Sequence, residues 1–227
     1  MIGDPVALTV RRNIERAPQA IMDAFAGMPT GFVTDAYNGK GCLDCAIKPL
    51  LPTMSFSGSA VTAYCGPMDN LAAMAMLDFA RKGDVLVIAT TGDETAATIG
   101  DLWALWAKKI GVVAIVCDGL VRDVSGLLKA DIPVFARGVK PNSAFKNGPG
   151  EVNTTVTCGG VAIGAGDIIV GDRDGVVAIP LARAAQVVER LELVKKKEAE
   201  AEASVKKGVK LKFWDPDALG TRLHYID

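Results

Sequence analysis

The stretch "GVVAIVCDGLVRDVSGLLKADIPVFARG" (residues 111–138) holds two short apolar runs on either side of a more polar segment. "VVAIVC" (112–117) and "PVFARG" (133–138) are too short for buried helices and have the apolar, β-branched content of strands. Between them, "VRDVSGLLKAD" (121–131) reads as a short helix, entered across a turn at Asp118-Gly119. A strand, a helix and a strand in this order form the crossover that parallel strands require. Immediately upstream the pattern repeats, with "DVLVIAT" (84–90) as a strand and "TAATIGDLWALWAKKIG" (95–111) as a helix. Apolar runs of this kind mean a sheet covered on both faces, so the expected class is α/β.

Further out, the chain frames this centre. "RNIERAPQAIMDAFA" (12–26) reads as a helix interrupted near Pro18 and "TGFVTDAYNGKG" (30–41) as a short helix, and residues 1–40 together form an N-terminal cap. "TMSFSGSAVTAYC" (53–65) is a strand and "MDNLAAMAMLDFARKG" (68–83) a helix with Asp69 near its start and Gly83 beyond its end. After a Gly-, Pro- and Asn-rich loop (138–153), "TTVTCGGVAIGAGDIIVGDRDGVVAIP" (154–180) reads as strand, turn, strand, turn, strand, with Asp174-Gly175 as a hairpin signal. The sheet is therefore expected to be mixed. A charged C-terminal helix (181–208) and a tail (209–227) complete a single domain over residues 1–227, and the run "KKKEAEAEASVKK" has the alternating charge of a solvated helix face.

Composition narrows the function. The chain has 227 residues, 50% of them hydrophobic, enough to fill one sizeable core. Its 25 basic and 26 acidic residues leave a net charge of −1, which gives no electrostatic reason to expect nucleic acid or an anionic membrane as partner. No stretch approaches the roughly 20 apolar residues of a membrane span, and the N-terminus lacks a signal-peptide pattern, so a cytoplasmic location is expected. The five cysteines, at 42, 45, 65, 117 and 158, fit reduced thiols. "CLDC" (42–45) has no second Cys or His pair at zinc-site distance and reads as ordinary thiols. The sole histidine, His224, lies in the tail, which disfavours Ser-His or Cys-His catalysis. "GGVAIGAGD" leads into a strand rather than a helix, so it lacks the geometry of a dinucleotide loop.

The remaining polar signal is Arg122-Asp123, expected at the N-terminal end of a helix just past a strand. Unpaired amides and the helix dipole there favour an anion, and a forked arginine would hold a carboxylate. Asp123 could serve a hard divalent cation, for which one or two carboxylates plus waters suffice. The plain alternative is a helix cap or a surface ion pair. Asp101, in "IGDLWAL", stands twenty-one positions before Arg122 in the helix that follows the preceding strand. Adjacent parallel strands bring their carboxyl-end loops to one edge, where Asp101 and Arg122-Asp123 would converge. Two carboxylates and an arginine in one cleft suit metal-assisted chemistry on an anionic substrate.

The "GD" and "L" of 100–102, the spacing to "DGLVRDV" (118–124) and the later "GDIIVGDRDGVVAIP" resemble the family of 4-hydroxy-4-methyl-2-oxoglutarate and 4-carboxy-4-hydroxy-2-oxoadipate aldolases. That family also contains the regulator of ribonuclease activity A and proteins once labelled dimethylmenaquinone methyltransferases. The resemblance covers about residues 20–210. It implies an α-β-β-α sandwich of the swivelling phosphohistidine-domain kind, assembled as a homotrimer or homohexamer with active sites between subunits. It further implies a class II, Mg2+- or Mn2+-dependent pyruvate aldolase acting on a 4-hydroxy-2-keto acid, with oxaloacetate decarboxylation as a side activity. By motif, Asp123 would ligate the metal, Arg122 would hold the pyruvyl oxygen and stabilise the enolate, and Asp101 would orient metal-bound water. Backbone amides around Gly100, Leu102 and Trp103 would bind the substrate carboxylate. A neighbouring subunit's C-terminal helix would supply a glutamate, with Glu198 the best match and Glu192 or Glu200 as alternatives.

With a metal and Arg122 stabilising the enolate, no Schiff-base lysine is needed, and Lys108 and Lys109 sit at the solvated end of a helix. Trp103 and Trp106 depart from the small residues usual after the Gly-x-Leu motif. Their plain role is packing, but Trp103 facing the pocket would narrow it and favour a smaller 2-keto acid. The alternative function is a non-catalytic, protein-binding regulator of ribonuclease activity. Such regulators typically lose the aspartate of the Arg-Asp pair and stop before the long C-terminal helix, whereas this chain keeps both. A methyltransferase would need a glycine-rich strand-to-helix loop that is not found.

Overall fold

A computed structural model describes residues 5–226. The N-terminal part comprises β1 (Leu8–Val10), α1 (Gln19–Phe25), α2 (Thr30–Ala36), β2 (Lys48–Pro49) and β3 (Phe56–Cys65). The middle holds α3 (Leu71–Ala75, continued by a 3-10 turn over Met76–Phe79), β4 (Asp84–Ala89), β5 (Ala97–Ile99), α4 (Asp101–Ile110), β6 (Ala114–Val121), α5 (Val124–Lys129) and β7 (Val134–Val139). Then follow β8 (Gly150–Val152), β9 (Val156–Cys158), β10 (Val161–Ile163), β11 (Ile168–Asp172), β12 (Gly175–Ile179), α6 (Ala184–Lys206) and α7 (Pro216–Leu219).

The sheet is mixed. Strands β3, β4, β6 and β7 are parallel neighbours in that order, with β2 antiparallel on the outer side of β7. The other side of β3 is shared: its end, Ala63–Cys65, pairs antiparallel with β8, and its start, Phe56–Ser59, pairs antiparallel with β11. Strand β1 runs parallel to β8, and β11 and β12 form the expected hairpin, with its two-residue turn at Arg173-Asp174 and Gly175 already paired with Asp172.

Alternation along the buried strands sorts the core into layers. Leu86 and Ile88 of β4 and Ile115 and Cys117 of β6 face α3, α4 and α5, meeting Ala72, Ala104 and Leu127. Val85, Val87, Ala114 and Val116 face the opposite way, onto Val156, Ile163, Ile169 and Ala178. The β11–β12 hairpin then turns its second face, Ile168, Val170, Val177 and Ile179, toward α1, α2 and α6. Helices thus lie on both outer sides, with α3–α5 on one and α1, α2 and the long α6 on the other.

The structure corrects several boundaries. The helix expected over 95–111 divides into β5 and α4, because Ala97-Thr98-Ile99 add a parallel strand to β6 and Gly100 breaks the run. Asp118-Gly119 is not a turn: β6 continues through it to Val121, with an irregularity in its pairing to β7. Asp118 is buried, and its carboxylate accepts hydrogen bonds from the Thr90 N–H (2.6 Å), the Thr90 hydroxyl (3.0 Å) and the Gly159 N–H (3.2 Å). The first helix begins only after Pro18, and the segment before it delivers Arg16 to a bidentate pair with buried Asp84, 2.8 Å at each oxygen. Four strands, not three, occupy 154–180, and the 138–153 loop contains β8.

Candidate active site

Strands β5 and β6 present the polar signal together. Ala97 and Ile99 pair with Leu120 and Val121, and the Arg122 N–H donates to the Ile99 carbonyl at 3.0 Å. Each strand then yields at once to a helix, so Asp101, the first residue of α4, comes to lie beside Arg122-Asp123 ahead of α5. Asp123 adopts a left-handed conformation (φ 58°, ψ 43°), which aspartate tolerates better than most side chains. Its carbonyl accepts the Gly126 and Leu127 N–H groups at 2.8 and 3.0 Å, while its carboxylate makes no cap bond. Asp123 is therefore not a side-chain cap.

Two glycines permit the approach. A Cβ on Gly100 would stand 2.5 Å from Asp123 Oδ2 and 3.3 Å from Arg122 Nε. A Cβ on Gly126, in α5, would stand 2.2 Å from Asp101 Oδ2 and 2.5 Å from Asp101 Cβ. Neither carboxylate could occupy its position beside an ordinary side chain.

The three residues face a cavity of about 430 Å3, walled by the start of α4, by Asn70 and Met74, and by the loop carrying Ser143, Ala144 and Lys146. Arg122 Nε lies 3.2 Å from Asp123 Oδ2, and its Nη1 donates to the Ser143 hydroxyl. Both side chains remain partly exposed, which keeps the site open to solvent. Asp101 Oδ1 accepts the Leu102 N–H at 2.7 Å, so that amide, one of those expected to hold a substrate carboxylate, is already paired. The Trp103 amide lies in the first helical turn and has no partner within the helix. Trp103 combines the two roles considered for it. Its ring is buried in the core, its Nε1–H donates to the Ala73 carbonyl at 3.0 Å, and it lines the cavity.

Asn70, Ser143 and Lys146 are cavity residues without a motif. Asn70 is buried beside α3, and its Nδ2 donates to the Thr98 carbonyl at 2.8 Å. The 143–146 loop is held in turn by Asp69, whose carboxylate accepts the Leu71, Asn147 and Gly148 N–H groups. Lys146 is the lysine at the cavity. Lys108 instead bonds the Asp131 carbonyl, and the Lys109 ammonium lies 5.5 Å from the Trp106 ring centroid.

Glu198 lies on α6, in the outer layer opposite α4 and α5, and is exposed. Its own chain does not bring it to the cavity. Glu192 pairs with Lys195 at 2.8 Å and Glu200 with Lys196 at 4.0 Å along the same helix. His224 is exposed in the tail. Burial pushes the Cys65 and Cys117 thiols up to about 12 and raises Cys158 well above the usual thiol range, whereas Cys42 and Cys45 are exposed. Among the described residues no group of three or more His, Cys, Asp or Glu side chains is arranged to hold a metal, so an ion at Asp123 would have few protein ligands. No helix of the described residues is long and apolar enough to cross a membrane.

Comparison with known proteins agrees with this architecture. The family model described as "RraA-like: Aldolase/RraA" matches residues 19–178. A protein of Halalkalibacterium halodurans named "Putative 4-hydroxy-4-methyl-2-oxoglutarate aldolase" is 38% identical over 179 residues, covering 79% of this chain and 84% of its own. The crystal structure of an uncharacterized protein from Pseudomonas syringae superposes with a TM-score of 0.79 at 26% identity, covering 87% of this chain and 93% of that one. The RNA-processing inhibitor RraA from Thermus thermophilis superposes with a TM-score of 0.62 at 27% identity, covering 67% and 93%. A family match over most of the chain, together with that 38% identity, establishes that this chain belongs to the RraA-like family.

Proposed function

We propose that this chain is a divalent-metal-dependent pyruvate aldolase. It would cleave a 4-hydroxy-2-keto acid, such as 4-hydroxy-4-methyl-2-oxoglutarate or 4-carboxy-4-hydroxy-2-oxoadipate, to pyruvate and a second keto acid. The observation that carries this reading is the meeting of Asp101, Arg122 and Asp123 at one open cavity, in positions that Gly100 and Gly126 leave room for. The relative named as an aldolase supports the same reaction class.

The donor set fits a hard cation. Asp123 offers a carboxylate free of helix capping, and Mg2+ or Mn2+ needs only one or two carboxylates, with water completing the shell. Such an ion, held by Asp123, would polarise the substrate's keto oxygen as a Lewis acid. The protein's own groups divide the remaining work. Arg122, steadied by Ser143, binds the keto or carboxylate oxygen and stabilises the negative charge that develops there. Asp101, fixed by the Leu102 N–H and by its seat on Gly126, orients water in the cavity. The Trp103 amide, in the first turn of α4 without a partner in its helix, is the proposed donor to the substrate carboxylate.

Cleavage requires a base to take the 4-hydroxyl proton. The C3–C4 bond then breaks to form the new carbonyl, and the electron pair moves onto the pyruvate enolate, which takes a proton at C3. Glu198 of a neighbouring copy is the proposed base, since the same chain cannot deliver it, and a homotrimer or homohexamer would place it there. Decarboxylation of oxaloacetate passes through the same enolate and is the proposed side activity.

The second reading, a protein-binding regulator of ribonuclease, draws on the similarity to the Thermus RNA-processing inhibitor. The two separate in one experiment. The purified protein is supplied with several 4-hydroxy-2-keto acids and with oxaloacetate, and pyruvate is followed through lactate dehydrogenase. Steady pyruvate release supports the aldolase; no release from any of them, with inhibition of a ribonuclease, supports the regulator.

A further inference from the structure

Asp69 is a buried carboxylate to which the proposed chemistry gives no task. Its hydrogen-bond donors are all backbone N–H groups: Leu71 to Oδ1 at 2.8 Å, and Asn147 and Gly148 to Oδ2 at 2.5 and 3.0 Å. Taking a charge out of water is costly unless such donors replace its lost hydration. The Leu71 bond is a local turn that an uncharged serine or asparagine makes as well. The bonds to the second oxygen instead reach 78 and 79 residues along the chain.

Their target is the segment 140–149, which has no helix or strand of its own and little packing, since Ser143, Phe145, Lys146 and Asn147 are exposed. Hydrogen bonds therefore hold it. Ahead of Ser143, the Ala97 N–H donates to the Asn142 carbonyl at 3.0 Å. Beyond it, the Phe145 N–H donates to the Met68 carbonyl at 2.7 Å and the Asn70 N–H to the Phe145 carbonyl at 2.8 Å. Asp69 adds the last fastening, directly after Lys146 at the cavity wall. Ser143, between these fastenings, accepts the Arg122 Nη1–H. With Ser143 withdrawn, the guanidinium is left with the neighbouring Asp123 carboxylate at 3.2 Å. Once that carboxylate serves an ion, as proposed, Ser143 is the group that still orients the fork.

We infer that Asp69 is a positioning residue for Arg122: by pinning Asn147 and Gly148 it fixes the loop that presents Ser143 to the guanidinium. Asp69 stands behind the wall that Asn70, Ser143 and Lys146 form and does not face the cavity itself. The inference rests on the aldolase reading, because the task of Arg122 at the pyruvyl oxygen is what the loop serves.

Asp69→Ser keeps an acceptor for the Leu71 N–H and lets go of the loop, and the nearly isosteric Asp69→Asn is the second form should the shorter side chain upset the fold. Each is made alone and with Ser143→Ala; kcat and KM for pyruvate release are measured, and thermal midpoints check folding. Asp69→Ser and Ser143→Ala are each expected to lower kcat/KM about tenfold, mostly in kcat, less than the ~100-fold of a 1 Å misplacement because the Asn142 and Phe145 bonds remain. Both act on Arg122 through one contact, so the double variant should also fall about tenfold, not the roughly hundredfold of independent effects. Asp69→Ser combined with Gly126→Ala, which displaces Asp101 by a separate route, should multiply. Multiplied losses in the Ser143 pair, sub-multiplicative losses in the Gly126 pair, or wild-type kinetics in Ser143→Ala or in the folded Asp69 variants would overturn the inference and leave the aldolase reading standing. No pyruvate release by the wild type would instead overturn that reading, and the inference with it.

Discussion

Gly126→Ala isolates the positioning of Asp101 from its chemistry. Gly126 lies within α5, where alanine is intrinsically favoured by about 1 kcal/mol. The obstacle is contact across to α4: the added Cβ would lie 2.2 Å from Asp101 Oδ2, 2.7 Å from Cγ and 2.5 Å from Cβ, where ordinary contact begins at 3.4 Å. A rotamer change can move the carboxylate but not the Asp101 Cβ, which is fixed to the α4 backbone. The two helix starts must therefore separate by about 0.9 Å, the difference between 2.5 and 3.4 Å. A misplacement of about 1 Å in a catalytic constellation costs on the order of 100-fold in rate, or about 2.7 kcal/mol of transition-state stabilisation. Overpacking costs about 1–3 kcal/mol, partly offset by the gain in helix propensity, so the net stability loss is at most about 2 kcal/mol. For a chain of this size that corresponds to roughly 4–8 °C in thermal midpoint. The expected result is a folded protein whose kcat/KM for pyruvate release falls about 100-fold, while Ser125→Ala, at the exposed neighbouring position, leaves it unchanged. Wild-type kcat/KM in Gly126→Ala would refute the reasoning that packing on Gly126 places Asp101 for its task.

Three further outcomes are expected. Arg122→Lys keeps the charge but loses the planar fork shared between Asp123 and Ser143, so steady-state kinetics with the keto acid should show kcat/KM lowered at least tenfold with little change in thermal midpoint. Arg16→Ala leaves the buried Asp84 carboxylate with only the Arg81 N–H, and urea unfolding should show a loss of about 3 kcal/mol; a loss below half of that would mean Asp84 is resolvated. At pH 8 a thiol reagent should label Cys42 and Cys45 promptly and the other three cysteines only after denaturation, because Cys65 and Cys117 are pushed up to about 12 and Cys158 is raised by burial, all remaining protonated and enclosed.

Much of the fold is legible in the sequence because its centre obeys simple periodicities. Strands β4, β6 and β7 are apolar runs, and the hairpin signalled at Asp174-Gly175 forms one residue earlier, with its turn at Arg173-Asp174. The errors have local causes. Ala97-Thr98-Ile99 can join a helix on pattern alone, and only pairing to the end of β6 makes them a strand. Asp118-Gly119 looks like a turn because an aspartate inside a strand normally marks an end; here Thr90 and Gly159, distant in sequence, supply the donors that let it stay buried. Arg122, Asp123 and Asp101 stand out as charges next to core strands, which is why the site could be found. Asn70 resembles any residue before a helix, and Ser143 and Lys146 sit in a loop without periodicity, so their place at the cavity depends on tertiary contacts such as those of Asp69. Gly100 and Gly126 are legible only as glycines; that each makes room for a carboxylate of the facing element is visible only in three dimensions.

The most direct measurement is pyruvate release from 4-hydroxy-4-methyl-2-oxoglutarate by the wild type and by Asp123→Ala, each with added Mg2+ and each after EDTA treatment. The arrangement of Asp101, Arg122 and Asp123 predicts turnover by the wild type with metal, loss on EDTA treatment with recovery when Mg2+ or Mn2+ is restored, and no turnover by Asp123→Ala under any condition. Metal-independent turnover, or full activity in Asp123→Ala, would contradict it.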